Sequence, residues 1–315
     1  MAQVTAPKQP ITVTAPKRSI TRQMRNEWTA YAMQLPGLLL FAVFTVYAVG
    51  AAAYLSFTNY DPVARSGDFV GWANYRAVLH DGTWWAAMGH TLYFTLGTMI
   101  PSMVIGLGLA SLLNSKIRGL SFYRTAFYLP AITPLVIATL LWKWLYNGDY
   151  GLINYYLLRL HIIDTPIQFL ADARWAMPAV ILMQIWLSIG FNMVVYLAGL
   201  QAIPAELYEA AEVDGATAWQ RMRRITIPML WPTTIFLLVF QTILGMQTFD
   251  QIFVMTSGGP PGPGGATTTV TYYIYLNAFQ YLKMGKASAL AWTLFLVVFA
   301  LSLIQFRWYV KQVER

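Results

Sequence analysis

The chain contains no cysteine in 315 residues, which excludes a disulfide framework, thiol catalysis and cysteine-held metal. Charge is scarce as well. Charged residues make up 11% of the chain, against roughly 25% in soluble domains. The few histidines, His80, His90 and His161, lie far apart and show no metal-ligand spacing. There is no GxxxxGK[ST] run, so ATP has no P-loop here. No Ser/His/Asp set and no carboxylate pair stands at a catalytic spacing. The expectation is a chain with no catalytic site, metal or cofactor of its own, driven by energy from a partner.

Hydrocarbon is what the chain has in abundance. It is 57% hydrophobic with a mean hydropathy of +0.49, the balance of a polytopic membrane protein. Residues 1–27 are the exception: rich in Thr, Pro, Lys and Gln without an apolar core, they read as a disordered cytoplasmic tail rather than a signal peptide. Residues 28–315 read as the transmembrane domain. Segments free of Lys, Arg, Asp and Glu run from Trp28 to Tyr60, Gly82 to Ser115, Thr125 to Trp142, Trp175 to Ala205, Ile225 to Phe249 and Ala287 to Phe306. A spanning helix needs about 20 residues, so six spans are expected, at about 33–57, 90–114, 124–146, 177–200, 227–249 and 287–309. In the third, Pro130 and Pro134 predict kinked or unwound first turns, serving a solute pathway or plain packing. In the second, Ser102, Gly106 and Ala110 form a stripe of small residues suited to close helix packing.

The net charge of +8 is distributed by side, which argues against nucleic acid. With the N-terminus inside, fourteen Lys and Arg fall on the cytoplasmic side and seven on the other. The positive-inside rule therefore predicts cytoplasmic N- and C-termini.

This orientation puts the stretch 204–228, PAELYEAAEVDGATAWQRMRRITIP, in the cytoplasm. Its first half predicts a short helix with Pro204 in the first turn, glutamates toward the positive end of the dipole and Gly215 as the stop. Leu207, Ala210 and Ala211 share one face, and Glu206, Glu209 and Glu212 follow one another at spacing three. Small alanines and carboxylates on one short helix suit docking into a groove with a basic rim.

Within the spans, Gln184, Leu187, Ser188 and Phe191 recur at helical spacing in the fourth, with Asn192 alongside. Gln241, Leu244, Gly245 and Thr248 repeat that spacing in the fifth. Amides, hydroxyls and rings together suit a neutral polyol, whose hydroxyls pair with amides and whose C–H faces pack on rings. The alternative is interhelical hydrogen bonding without a ligand. Lys143 reads as a snorkelling side chain or a pathway residue, and Asp250 as a solute contact or a group facing water.

Glu209, Ala210, Ala211, Gly215, Ile225 and Pro228 match the EAA-x3-G-x9-I-x-L-P loop of permease subunits of binding-protein-dependent ABC importers, with Ile227 in place of the Leu. The chain also resembles the carbohydrate-uptake (maltose/glycerol-3-phosphate) group of these permeases. FVGWANY after the first span resembles that group's FVG-x-x-NY element, and Gly258, Gly259 and Pro260, followed by TYYIYLNAF, resemble its GGP loop. The resemblance implies an all-α, six-helix type I importer permease in the cell membrane. Glu206, Glu209, Ala210, Ala211, Asp214, Gly215 and Pro228 would form a coupling helix docked on the ATPase, and Gly258, Gly259 and Pro260 would contact the binding protein. Implied partners are a second related permease, two ATP-binding subunits that hold ATP and Mg, and an extracytoplasmic solute-binding protein. The solute expected is a sugar or oligosaccharide. The alternatives are a polyol phosphate, an amino acid or, in another class, secondary transport, which the near absence of ionisable residues in the spans disfavours.

Overall fold

The computed structural model describes residues 28–115, 118–256 and 262–313. The expected tail at 1–27 and the expected binding-protein contacts Gly258, Gly259 and Pro260 lie outside the described residues. The chain divides into two compact units, 1–52 and 53–315. In the first, α1 (Trp28–Phe41) runs through a π-helical segment (Ala42–Tyr47) toward α2 (Ala48–Ser56). Apolar side chains are exposed along α1 and the π segment, from Leu38 to Tyr47.

The second unit is helical around three buried clusters. After α3 (Ala73–Leu79) come α4 (Gly82–Leu113), α5 (Leu120–Ile132), α6 (Leu135–Leu145), α7 (Leu152–Arg159) and α8 (Ala173–Gln201). They are followed by α9 (Ala205–Val213), α10 (Ala218–Met229), which contains a π turn, and α11 (Trp231–Met246). Then come α12 (Asp250–Met255), α13 (Val270–Tyr275) and α14 (Met284–Val313). Among the described residues the β structure amounts to two isolated bridges, Thr58–Phe69 and Asp61–Ser66.

Four stretches are continuous helices long and apolar enough to span a membrane: Tyr31–Ser56, Gly82–Leu113, Ala173–Gln201 and Met284–Trp308. The other two expected spans are helix pairs, α5 with α6 bent by 94° and α10 with α11 bent by 61°. Six spans result if each pair counts as one.

The boundaries differ from expectation for identifiable reasons. The second span begins at Gly82 rather than near 90, because Asp81 caps the helix by accepting from Thr83 N at 2.9 Å. The break in the third lies at Thr133–Pro134, mid-span rather than in the first turns. Pro134 disfavours helical geometry in the residue before it, and Thr133 is extended at φ −70°, ψ 129°. The helix leading into the fifth starts at Ala218, nine residues ahead of the expected span, and bends at Leu230, between Pro228 and Pro232, neither of which can donate to the helical ladder.

The stripe of small residues does bring helices together. A Cβ on Gly106 would lie 2.6 Å from Asn192 Cβ, so α4 and α8 touch nearly backbone to backbone there. One on Gly245 would lie 2.8 Å from Thr95 Oγ1, which draws α11 onto α4. One on Gly190 would meet the Phe127 carbonyl of α5.

The FVGWANY element closes the C-terminal end of α2. Asn74 Nδ2 donates to Ser56 O at 2.9 Å and Thr58 O at 2.7 Å, satisfying carbonyls that the helix end leaves unpaired. Tyr75 Oη pairs with Ser56 Oγ at 2.7 Å. Gly285 at the start of α14 packs directly on Thr58 O, where no side chain fits.

Candidate functional site

α4, α8, α11 and the two helix breaks, α5/α6 and α11/α12, enclose a cavity of about 480 Å³. All eight pathway residues expected from the sequence line it. Gln184, Leu187, Ser188, Phe191 and Asn192 come from α8, and Gln241, Leu244 and Gly245 from α11. The breaks add further lining from non-helical backbone. Thr133, freed from the helix by Pro134, and Gln247, at the end of α11, reach the cavity from irregular backbone. Irregular backbone at membrane depth is tolerated where it lines a cavity.

Two polar relays run along the wall. In one, Thr248 Oγ1 donates to Gln251 Oε1 at 3.0 Å, Gln251 Nε2 to Gln184 Oε1 at 2.8 Å, and Gln184 Nε2 to Ser188 Oγ at 3.2 Å. In the other, Ser102 Oγ donates to Gln241 Oε1 at 3.3 Å and Gln241 Nε2 to Asn192 Oδ1 at 2.6 Å. Asn192 is fully buried against Gly106 and its Nδ2 donates to no protein atom, a deficit of about 1–3 kcal/mol. Ser188 and Asn192 stand one helical turn apart on one face of α8.

Rings complete the lining. Phe191 and Phe240 pack at 5.3 Å between centroids, and Phe249 packs on Phe253 at 5.3 Å and Tyr275 at 5.1 Å. Among the described lining residues the single charged side chain is that of Asp250, exposed at the first turn of α12. Lys143 is half-buried, its Nζ 3.5 Å from Val254 O on α12. His90 Nδ1 lies 3.1 Å from Thr268 O. Gln251, Tyr128, Phe94 and Phe240 also line the cavity and were missed in the sequence. Gln251 falls beyond the apolar run, and single rings in apolar helices look like ordinary core.

The 204–228 stretch folds as helix, turn and helix. Pro204 sits at the N-cap of α9 rather than inside its first turn. At the other end Gly215 takes φ +74°, while Ala216 N donates to Ala211 O at 2.9 Å and Gly215 N to Glu212 O at 3.0 Å. This closure of the last carbonyls favours glycine because of its left-handed backbone. Thr217 then starts α10 with a capping box to Gln220.

Tyr208 turns inward and pairs with Thr226 Oγ1 at 2.9 Å, fixing α9 on α10. Glu206, Glu209, Ala210, Asp214 and Pro228 are exposed and Ala211 is half-buried. Glu212 is drawn to Arg221, 3.4 Å away. Val213 at 89% exposure and Trp219 at 70% add an apolar component that the sequence reading left out.

The family of binding-protein-dependent transport system inner membrane components matches residues 83–314. The sn-glycerol-3-phosphate transport system permease protein of Agrobacterium fabrum is 36% identical over 290 residues, 92% of this chain and 97% of that protein. The multiple sugar-binding transport system permease protein of Streptococcus mutans is 32% identical over 286 residues, 91% of this chain and 97% of that one. Among solved structures, a bacterial ABC transporter involved in importing the acidic polysaccharide alginate superimposes with a TM-score of 0.81 at 24% identity, covering 93% of this chain and 98% of that chain. An alginate transporter in complex with its pentasaccharide-bound periplasmic protein gives 0.79 at 25% identity, over 91% and 95%. With that family model covering residues 83–314 and relatives above 30% identity matching along nearly their full length, the chain belongs to the binding-protein-dependent transport system inner membrane components, the membrane-spanning permease subunits of ABC importers.

Proposed function

We propose that this subunit forms the translocation pathway for a neutral sugar or oligosaccharide handed over by an extracytoplasmic binding protein. The observation that carries this reading is the cavity wall. Amides, hydroxyls and rings converge there, and the lining holds no basic side chain among the described residues. A phosphorylated or carboxylated solute would call for Arg or Lys. Relatives named for glycerol-3-phosphate and for multiple sugars leave both classes in the family, and the lining favours the neutral one.

A second, related permease would complete the pathway. Two ATP-binding subunits would hold ATP and Mg, so hydrolysis takes place outside this chain. Glu206, Glu209 and Asp214, with Ala210 and Ala211, would dock on the ATPase in the cytoplasm, Gly215 making the turn and Pro228 starting the climb back into the membrane. Cytoplasmic termini follow from the basic-residue count. Closure of the ATPases on ATP would draw the docking helices together and turn the cavity outward, and release of the products would reverse it.

The test is uptake of labelled sugars into vesicles supplied with the binding protein, comparing wild type with Glu209→Lys at equal membrane level. Loss of ATP-dependent uptake together with loss of ATPase co-purification supports the docking role, and the sugar panel identifies the solute. Uptake that persists without an ATPase refutes the assignment, and preference for an anionic solute over every neutral sugar refutes the substrate class.

A further inference from the structure

The connection between α6 and α8 carries a surface that neither the cavity nor the cytoplasmic stretch uses. α7 has two distinct faces. Ile153 and Leu157 pack against the core, and Asn154, 2% exposed, exchanges two hydrogen bonds with the Ile167 backbone at 2.9 and 3.0 Å. The opposite stripe, Leu152, Tyr155, Tyr156 and Arg159, recurs at i, i+3, i+4, i+7 and is exposed, at 40%, 50% and 56% for the first three. It continues into Leu160 and Ile162, at 66% and 64%. From Tyr150 to Ile163 the chain has no Asp or Glu. Arg159 lies 6.0 Å from the Tyr155 ring centroid, and its Nη1 donates to Tyr155 Oη at 3.0 Å.

Three features indicate what covers this stripe. First, α7 cannot stand off from the span ends. Gly151 packs on Asn147 O and Leu145 O at the end of α6 with no room for a side chain, and Tyr146 Oη donates to Ala179 O of α8 at 2.8 Å. Second, the flanking span ends carry half-exposed Trp144 and Trp175, at 45% and 44%, the side chains that mark a membrane–water boundary. Third, leucine and tyrosine with one cation and no carboxylate match the headgroup region, where rings sit at the boundary and an arginine meets lipid phosphate. A face turned to bulk water would gain nothing from so much apolar exposure.

We propose that α7 is an interfacial anchor. Its Leu152–Tyr155–Tyr156–Arg159 stripe lies in the lipid headgroup layer beside the outer ends of α6 and α8, with Arg159 on a phosphate. It holds the outer limb of the bent α5–α6 pair at a fixed depth. This assignment does not depend on which solute the cavity takes.

The absence of cysteine from this chain makes each introduced thiol its single labelling site. Tyr155→Cys and Tyr156→Cys are spin-labelled one at a time in the assembled importer, in nanodiscs of phosphatidylethanolamine and phosphatidylglycerol. Collision with oxygen is compared with collision with a water-soluble nickel chelate. Val63→Cys, at a position 73% exposed in the first extramembrane loop, serves as the aqueous reference. The expected result is several-fold preference for oxygen at both sites, at a depth of about 5–10 Å into the headgroup–acyl boundary. Nickel access equal to that at Val63 overturns the proposal. Nickel access that disappears only when the solute-binding protein is added also overturns it and assigns the stripe to that protein.

Discussion

Gly106 and Gly108 sit two residues apart on α4 and illustrate how much a single Cβ decides. A side chain at Gly106 would run into Asn192 and Met193, whereas nothing lies within 4 Å of one at Gly108. Gly106→Leu should therefore destabilise the subunit by about 1–3 kcal/mol through overpacking, and Gly108→Ala should stabilise it by about 0.5–1 kcal/mol. Thermal unfolding of the two variants in one detergent checks both signs. A second residue-scale device ties α4, α13 and α14 together. Asp81 Oδ2 accepts from Lys286 Nζ at 2.7 Å and Tyr273 Oη at 2.6 Å. Burial alone would raise the Asp81 pKa, but these two donors and the lysine charge outweigh it and lower the value from 3.8 to about 2. Because the folded-state pKa is depressed, the stabilisation is present above pH 3.8 and is lost as pH falls toward 2. Screened by solvent, it amounts to about 1 kcal/mol. Asp81→Asn should lower Tm at pH 7, and the gap to wild type should narrow by pH 3.

Elements here end where backbone chemistry requires it. The α9–α10 turn depends on Gly215 at φ +74°, and a β-branched residue there costs about 1–2 kcal/mol in left-handed backbone. Since a Cβ at Gly215 meets nothing within 4 Å, that cost is purely conformational. Gly215→Val should weaken ATPase co-purification and uptake, while Gly215→Asn, which tolerates this conformation, should retain most of both. The helix and its stop were legible in the residues, through Pro204 and Gly215, whereas the Thr217–Gln220 capping box emerged only with the structure. The inward turn of Tyr208 onto Thr226 was not legible either, because that contact joins two helices across the turn.

At the scale of the whole subunit, the cavity exists because α5/α6 and α11/α12 break beside the middle of α8. Its polar wall is a set of relays, so a member at the base positions those ahead of it. Gln251, 7% exposed, holds Gln184 from behind. Gln251→Ala should raise KM for sugar uptake about tenfold, equivalent to about 1.4 kcal/mol, with assembly and basal ATPase activity unchanged. Kinetics on wild type and variant in the same vesicles decide this, and an unchanged KM would remove Gln251 from the wall's function. Of the candidate site, the amides and hydroxyls on α8 and α11 were legible because they interrupt long apolar runs at helical spacing. Phe94, Tyr128 and Phe240 were hidden by those same runs.

The sequence by itself determined the membrane class, the six apolar segments, the basic-residue asymmetry and the short helix that Gly215 ends. Each is a local matter: hydropathy over about 20 residues, charge placement, and a proline and a glycine flanking a short helix. Only the tertiary structure decided that the kink expected in the third span lies at Thr133–Pro134 and reaches 94°, that the fifth bends by 61°, that Asn74 closes the end of α2, and that eight separated side chains share one cavity. Bend angle and convergence depend on which helices approach closely, and that is fixed by contacts such as Gly106 on Asn192 and Gly190 on Phe127. Those contacts join residues dozens of positions apart, which no local pattern encodes.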